Sequence, residues 1–383
     1  HIEGLHVKPK SPLGRWFLAR QAKHIHLTDV LMEKARGGMP FHISGCEHVY
    51  VRDSVIREYE DHNMARISDS KWILFEGNAI SRTGHSPLQF YPEQSNQYVV
   101  VRGNVFHPEW GRPLEFFSPR HLLFEGNIIT HSFYGGRSNS AAANYLAEHV
   151  IFRHNRVFRN WGTPLQLQPW LYTLPMTQGR IYNNVFDANS EAAMRIMTRA
   201  DSAPVEDNIL VNNVFHRNDP HGDGRQLVFD GNADNMRFVN NIINGLVAVS
   251  NNVVRDLESV QSDIWVRLHG EQFVENRQLD PGFVDPDGFD HRLAVDSPLL
   301  DAAVALTHTV RSGKGTILPV EDVYYFYDGF GLEGERGDLI SVGDPQRVAR
   351  IVRVDYDAGT LVLDRSLTWQ AGEPVNLAWD GAA

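Results

Sequence analysis

One short phrase recurs down the middle of this chain, and each copy ends in asparagine. Phe75-Glu76-Gly77-Asn78 is followed by Val101-Arg102-Gly103-Asn104 and Phe124-Glu125-Gly126-Asn127. Phe152-Arg153-His154-Asn155, Ile181-Tyr182-Asn183-Asn184, Leu210-Val211-Asn212-Asn213 and Phe238-Val239-Asn240-Asn241 continue it. The asparagines are 26, 23, 28, 29, 29 and 28 residues apart. A repeat of this length, with an apolar strand before the Asn and an apolar pair after it, reads as one coil of a solenoid.

Asparagine suits a turn between strands because it tolerates left-handed backbone angles and bonds locally through its amide. Stacked coils lie about 4.8 Å apart, so each amide can bond the next and a buried ladder satisfies itself. These asparagines are therefore read as structural. Degraded copies extend the register upstream through Val51-Arg52-Asp53-Ser54, Leu27-Thr28-Asp29-Val30 and Ile2-Glu3-Gly4-Leu5, giving about ten coils. A column six residues before the Asn reads His24, His48, Trp72, Tyr98, His121, His149, Gln178, Asp207, Asn235. No carboxylate or Cys joins its histidines at ligand spacing, so it is read as a polar and aromatic stack.

Each coil has a further strand of period two, as in Pro87-Leu88-Gln89-Phe90-Tyr91 and Pro164-Leu165-Gln166-Leu167-Gln168. Leu and Phe are expected to point inward, and Gln, Glu and Tyr outward. The expected fold class is all-β: a right-handed parallel β-helix followed by a small C-terminal antiparallel β-barrel. Over residues 1–255 the coils resemble the bacterial pectate-lyase-like superfamily of right-handed β-helices. That resemblance implies the fold, and a secreted or cell-surface location. It leaves the role open among lyases, hydrolases, epimerases and phage tailspikes.

Residues 256–308 read as a closing segment ending in Ser297-Pro298-Leu299-Leu300-Asp301, a phrase similar to the end of many bacterial β-helices. Asp285-Pro286-Asp287-Gly288-Phe289-Asp290 superficially resembles a calcium loop but lacks the distal Glu, and reads as a turn. Residues 309–383 change character. Tyr324–Tyr327, Leu339–Val342, Val348–Val354 and Thr360–Leu363 read as strands, with a hairpin turn at Asp357-Ala358-Gly359. An SH3-like barrel is expected there, covering the open end of the helix or binding a partner.

The net charge of −11 argues against a general nucleic-acid surface. Of the 36 basic residues, 30 are Arg, which leaves room for local anion sites. Cys46, the single cysteine, excludes an intrachain disulfide and reads as a small buried side chain. No run is long and apolar enough to span a membrane. The chain opens inside a strand-like phrase, and an N-terminal segment with a cap and an export signal is expected before it.

Ligands of such folds lie along the outside of one sheet. The outward column of the further strand reads His42, Arg66, Gln89, Glu115, an ambiguous coil, Gln166, Arg195, Val228. The next reads Ser44, Ser68, Tyr91, Phe117, Tyr145, Gln168, Met197, Asp230. Tyr91, Phe117 and Tyr145 would make an aromatic platform for sugar rings. Trp170 and Tyr172 lie on a long excursion nearby, and long loops carry function. A candidate catalytic group is Glu115, Arg195, Arg137, His85 and Arg112, with Gln89, Tyr91, Phe117, Tyr145, Gln166, Gln168, Trp170 and Tyr172 as substrate contacts.

Hydrolysis needs two carboxylates. Glu115 stands alone in its column, and Asp219, Asp223 and Asp230 lie about 15–20 Å away by strand spacing. A lyase needs a base and a cation, which Arg66, Arg112, Arg137 and Arg195 could supply. Asp219-Pro220-His221 resembles part of the "DPHD" motif of alginate C5-epimerases, but Gly222 stands where the second Asp belongs. Asp219, His221, Asp223 and Arg225 form an alternative catalytic group, and a plain turn is the competing explanation. The expected partner is a polysaccharide, bound and cleaved by lyase or hydrolase chemistry, with no cofactor or with calcium. The competing readings are a non-catalytic surface, adhesin or tail module and an epimerase-like enzyme.

Overall fold

The computed structural model describes residues 1–383 except 8–15, 36–38, 60–63, 92–95, 110–113, 118, 133–142, 147, 168–175, 199–202, 204, 232, 250–252 and 379–383; for 115–117 and 143–146 it describes the backbone alone. Two compact units are present, residues 1–302 and 303–383.

The first unit is a parallel solenoid. Among the described residues its three long sheets hold eleven, ten and eleven strands. Each turn adds one strand to each sheet, so every sheet runs from early to late residues in chain order. Val51, Phe75, Val101, Phe124, Phe152 and Ile181 are direct cross-strand partners in the first sheet. They occupy the same place in the sequence phrase, so the register read from the repeat is the register of the sheet.

About seven turns carry the asparagine ladder at the corner between the first and second sheets. Each amide donates to the next: Asn78 to Asn104 (2.9 Å), Asn104 to Asn127 (3.0 Å), Asn127 to Asn155 (3.1 Å), Asn155 to Asn184, Asn184 to Asn213 and Asn213 to Asn241 (2.9 Å each). Each Oδ1 also accepts the backbone N–H of the previous rung, as Asn104 does from Asn78. The second amide hydrogen goes to a main-chain carbonyl, as from Asn127 to Val101 (2.9 Å). Ser54 extends the ladder one turn earlier, its backbone N–H donating to Asn78. Asn276 extends it one turn later, past an insertion that hid it in the sequence.

The ladder residues do not make the left-handed turn, contrary to the expectation. The residue before each does: Gly77, Gly103, Gly126, His154, Asn183, Asn212 and Asn240 have φ of 49° to 66°. The amide can bond along the stack because its neighbour takes the unfavourable backbone angle. A Cβ at Gly77 would meet Asp53 Oδ1 at 2.6 Å, which adds a steric reason for glycine there.

Inside the coils, Phe124, Phe152, Phe186 and Phe215 stack with centroids 4.9, 6.3 and 5.2 Å apart. Fully burying such a ring contributes roughly 1.5–3 kcal/mol. Outside, His24, His48, Trp72, Tyr98 and His121 stack with planes within 10° of parallel, as the column predicted. Each of these five has positive φ, which sets the rings above one another. Cys46 is buried, with its backbone N–H on Ser70 Oγ (3.0 Å).

Two short helices, Leu257–Val260 and Ile264–Leu268, were not expected in an all-β chain. Asp256 and Asp263 cap them, accepting from Ser259 and Trp265. Their buried Val260 and Val266 join the solenoid core. The hairpin of Phe283–Asp285 and Asp290–Leu293 follows. The calcium-like phrase is its turn: Asp285 accepts the Gly288 N–H (2.9 Å), Asp287 pairs with Arg217 (2.7 Å) and Asp290 with Arg292.

A buried ionic group ties this hairpin to the second sheet. The Asp187 carboxylate is fully buried and meets His216 Nδ1 (3.0 Å), His291 Nε2 (3.0 Å) and Arg217 Nε (2.9 Å). Burial alone would raise its pKa. Hydrogen bonds from His216, His291 and Arg217 outweigh that and hold the carboxyl well below the usual carboxylate range.

The second unit contains a six-stranded sheet that curls into an open half-barrel and does not close, contrary to the expected barrel. Its first strand, Thr307–His308, and last-ordered strand, Gly313–Pro319, both lie at edges, linked near their ends by the single bridge Thr309–Val320. Tyr324–Tyr327 is not a strand: Tyr324 and Tyr325 lie in a turn, Tyr325, Phe326 and Tyr327 are buried, and Asp338 accepts the Tyr327 N–H (2.9 Å). The hairpin at Asp357-Ala358-Gly359 forms as expected, between Asp344–Asp355 and Thr360–Trp369. No helix among the described residues is long and apolar enough to cross a membrane.

Two outcomes are expected from urea unfolding. Asn155→Ala leaves the Asn127 N–H and the Phe124 carbonyl without their side-chain partner, at about 1–3 kcal/mol for each buried group left unpaired. Asp187→Asn breaks the buried ionic group and costs about 3–5 kcal/mol at neutral pH. Because the folded-state pKa of Asp187 is depressed, its contribution is present above the unfolded value near ~3.9 and is lost as pH falls toward the folded value. The gap between wild type and Asp187→Asn therefore narrows on acidification.

Candidate functional site

The register on the third sheet agrees with the outward column. His42 pairs with Arg66, Arg66 with Gln89 and Gln89 with Glu115; Gln166 pairs with Arg195 and Arg195 with Val228. The ambiguous coil resolves to Asn144, which pairs with both Glu115 and Gln166. This corrects the aromatic platform. Tyr145 pairs with Phe116 in the inward column, and Leu146 is the partner of Phe117. Tyr91, Phe117 and Tyr145 do not share one column, because the irregular coil shifts the alternation by one residue.

Arg112, Arg137, Gln168, Trp170 and Tyr172 lie outside the described residues, and only the backbone is described for Glu115, Phe117 and Tyr145. The remaining predicted residues are engaged with neighbours. Arg66 Nε donates to Gln89 Oε1 (2.7 Å), and its guanidinium lies 4.9 Å from the half-exposed Tyr91 ring. His85 Nδ1 is 3.4 Å from Ser86 Oγ. Gln166 is buried, with Nε2 on Met197 Sδ. Arg195 Nε donates to Asp230 Oδ2 (2.8 Å), so the groove cation carries its own counter-ion.

The alternative group is a turn with one exposed imidazole. Asp219 Oδ2 accepts the Arg225 N–H (3.1 Å), and the Asp219 carbonyl accepts the Gly222 N–H (3.2 Å). A Cβ at Gly222 would meet Asp219 Oδ1 at 2.3 Å, which accounts for Gly where the epimerase-like motif has Asp. Asp223 pairs with Arg225 at 2.5 Å. His221 is exposed beside Pro220.

That turn belongs to a second ladder, unrecognised in the sequence. At the corner between the second and third sheets, Ser132 N–H donates to Asn160 (3.2 Å), Asn160 to Asn189 (3.0 Å), Asn189 to Asn218 (2.7 Å) and Asn218 to Gln226 Oε1 (2.7 Å). Three asparagines at 29-residue spacing were the available signal. One residue before each of these rungs the backbone is left-handed: Lys34, Glu58, Arg82, Glu109, His131, Arg159, Ala188 and Arg217 have φ of 50° to 61°. In the early turns these side chains form an exposed ion ladder, Lys34–Glu58–Arg82–Glu109, with N–O distances of 3.4–3.8 Å.

The column changes at His131. Arg159 rests its guanidinium 4.3 Å from the Phe289 ring and has no other partner among the described residues. Ala188 then stands where the other turns carry a long side chain. Arg217, next in line, is drawn away to Asp187 and Asp287. The small residue leaves a notch, an open cavity of about 370 Å³ lined by His131, Arg159, Trp161, Ser190, Pro220 and His221 among others. The Trp161 indole is 50% exposed, which makes it available to a ligand. Desolvation, then the charges of His107 and Arg159, lower the pKa of His131.

Ser190 leads directly to Glu191, which sequence reasoning missed because it lies in the corner and outside both columns. Thr163 Oγ1 donates to Glu191 Oε2 (3.1 Å). Burial raises the Glu191 carboxyl above the usual carboxylate range and the charge of Asp219 adds to the rise, while Thr163 and Arg195 oppose it. The corner thus gathers a half-exposed indole, a guanidinium and two imidazoles, with the Glu191 carboxyl on the residue after Ser190. Among the described residues, no group of three His, Cys, Asp or Glu converges as a metal site.

No curated protein and no solved structure matches the chain. The family described as "Right handed beta helix region" matches residues 41–251, more than half of the chain. The matched stretch coincides with the ladder-bearing turns and is consistent with the pectate-lyase-like superfamily. The chain belongs to the right-handed β-helix family.

Proposed function

We propose that the solenoid binds and processes an extracellular polysaccharide, and that the corner between the second and third sheets is where it does so. The observation that carries this reading is the half-exposed Trp161 indole on the wall of an open cavity. Sugars present apolar C–H faces that pack on indole rings, and isolated polar groups around such a ring fix orientation. Arg159, His131 and His221 supply those groups. Arg195 lies half-buried on the third sheet beyond the corner, where Gln89 and Gln166 are buried.

A second reading, a non-catalytic surface or tail module, has its own support. Arg195 is neutralised by Asp230, and Asp219 braces its own turn. The two readings separate on whether a bound glycan is changed.

Trp161→Ala is expected to weaken glycan binding about tenfold, the equivalent of one aromatic contact worth about 1.4 kcal/mol. Titration calorimetry against a glycan selected from an array reads this, and unchanged affinity would place the site elsewhere. Ala188→Arg fills the notch with a side chain that other turns carry at the same backbone angles. It is expected to leave stability within about 0.5 kcal/mol of wild type and to abolish binding. Full binding by that variant would sink the cavity as the site.

A further inference from the structure

We propose that the hairpin of Phe283–Asp285 and Asp290–Leu293 belongs to the carbohydrate site, with Phe289 as a positioning residue that holds the Arg159 guanidinium at the cavity. This rests on reading the corner as a carbohydrate site, and adds a residue from a distant part of the chain that sets its polar wall. Arg159 lines the cavity and Phe289 does not. Phe289 therefore acts through Arg159 and not on the sugar.

The hairpin tip grips both sides of the notch. Arg159, Ala188 and Arg217 occupy the same left-handed place in three successive turns, with φ of 54°, 51° and 50°. On one side, Asp287 Oδ1 accepts from Arg217 Nη1 (2.7 Å) and the Pro286 carbonyl from Arg217 Nη2 (2.6 Å). On the other, the Phe289 ring centre lies 4.3 Å from the Arg159 guanidinium. The tip, residues 286–289, thus draws Arg217 out of the corner and keeps Arg159 beside it. His291 anchors the hairpin itself, with Nε2 on Asp187 (3.0 Å).

Arg159 depends on that ring. Its guanidinium makes no hydrogen bond or ion pair among the described residues. An untethered arginine samples many rotamers, and ordering it on binding costs free energy. A ring already against it removes part of that cost before the ligand arrives. A guanidinium stacked on a ring also keeps its in-plane N–H groups for a sugar oxygen.

The backbone at Phe289 supports the assignment. Its φ is 61°, an angle that a bulky side chain takes at a cost. Gly288 is fixed by space instead, since a Cβ there would meet Asp285 Oδ2 at 2.3 Å. Glycine would suit the left-handed place better. The chain carries there a ring that reaches Arg159 and also stacks on Phe158, with centroids 4.9 Å apart.

The test is a double-mutant cycle on binding, read by titration calorimetry with the full chain and two probes, a homouronan oligosaccharide and a neutral hexosan oligosaccharide. Phe289→Leu keeps apolar bulk against Phe158 and removes the ring. It is expected to weaken binding about two- to fivefold, the range of an exposed cation–π contact. Phe289→Tyr keeps the ring and is expected to retain wild-type affinity. In an Arg159→Ala background, Phe289→Leu is expected to have no further effect, because the group it positions is gone. A merely structural Phe289 would weaken both backgrounds equally, and that result overturns the proposal. If Phe289→Leu unfolds, Phe289→Gly, which relieves the left-handed angle, is read in the same cycle. Wild-type affinity in the Phe289 variant while Trp161→Ala weakens binding overturns the role of the hairpin alone. Binding of neither probe, or binding that Trp161→Ala leaves unchanged, overturns the carbohydrate reading and the role of the hairpin with it.

Discussion

The bond from one asparagine amide to the next is the interaction on which the solenoid depends. A parallel coil must turn sharply three times per repeat, and each turn buries main-chain groups that the sheets cannot pair. The amide supplies two donors and an acceptor, and in this chain all are used: one to the next amide, one to a carbonyl, and Oδ1 to a backbone N–H. The arrangement is self-consistent only when every coil is in register, because a rung displaced by one residue leaves buried groups unpaired. The left-handed residue before each rung is the other half of the device. Glycine and asparagine dominate there because the angle is costly for other side chains.

The candidate site follows from the same regularity at another corner. Left-handed residues there project long side chains in successive turns, and these neutralise one another as an ion ladder. Such exposed pairs contribute little stability. Their effect is to fill the corner. Ala188 interrupts the filling, and the buried charge of Asp187 draws Arg217 away from the gap. A cavity results from one small side chain and one diverted one, and Trp161, Ser190 and His221 line it.

Much of the fold was legible in the repeat. The apolar residue before each Asn, the alternation of Leu88, Gln89 and Phe90, and the column from His24 to His121 all sit where their spacing puts them. Local rules were enough because a coil packs only on its neighbours. They failed where the chain departs from period two, as at Asn144 and Tyr145, and where a long insertion separates rungs, as before Asn276. They failed also at Tyr324–Tyr327, where residues of high strand propensity, three of them buried, form no strand.

The sequence by itself determined the class of fold and the coil register, since both follow from a periodicity that any single repeat displays. Only the tertiary structure decided which polar groups are already satisfied and which remain available to a ligand. Arg195 and Asp230 are 35 residues apart and Asp187 and His291 are 104 apart, and no local pattern announces such pairs. Asn189 and Asn218, bonded through their amides, become neighbours only when two turns stack. Whether a side chain is free is a property of its surroundings in space, and a sequence lists residues without those surroundings.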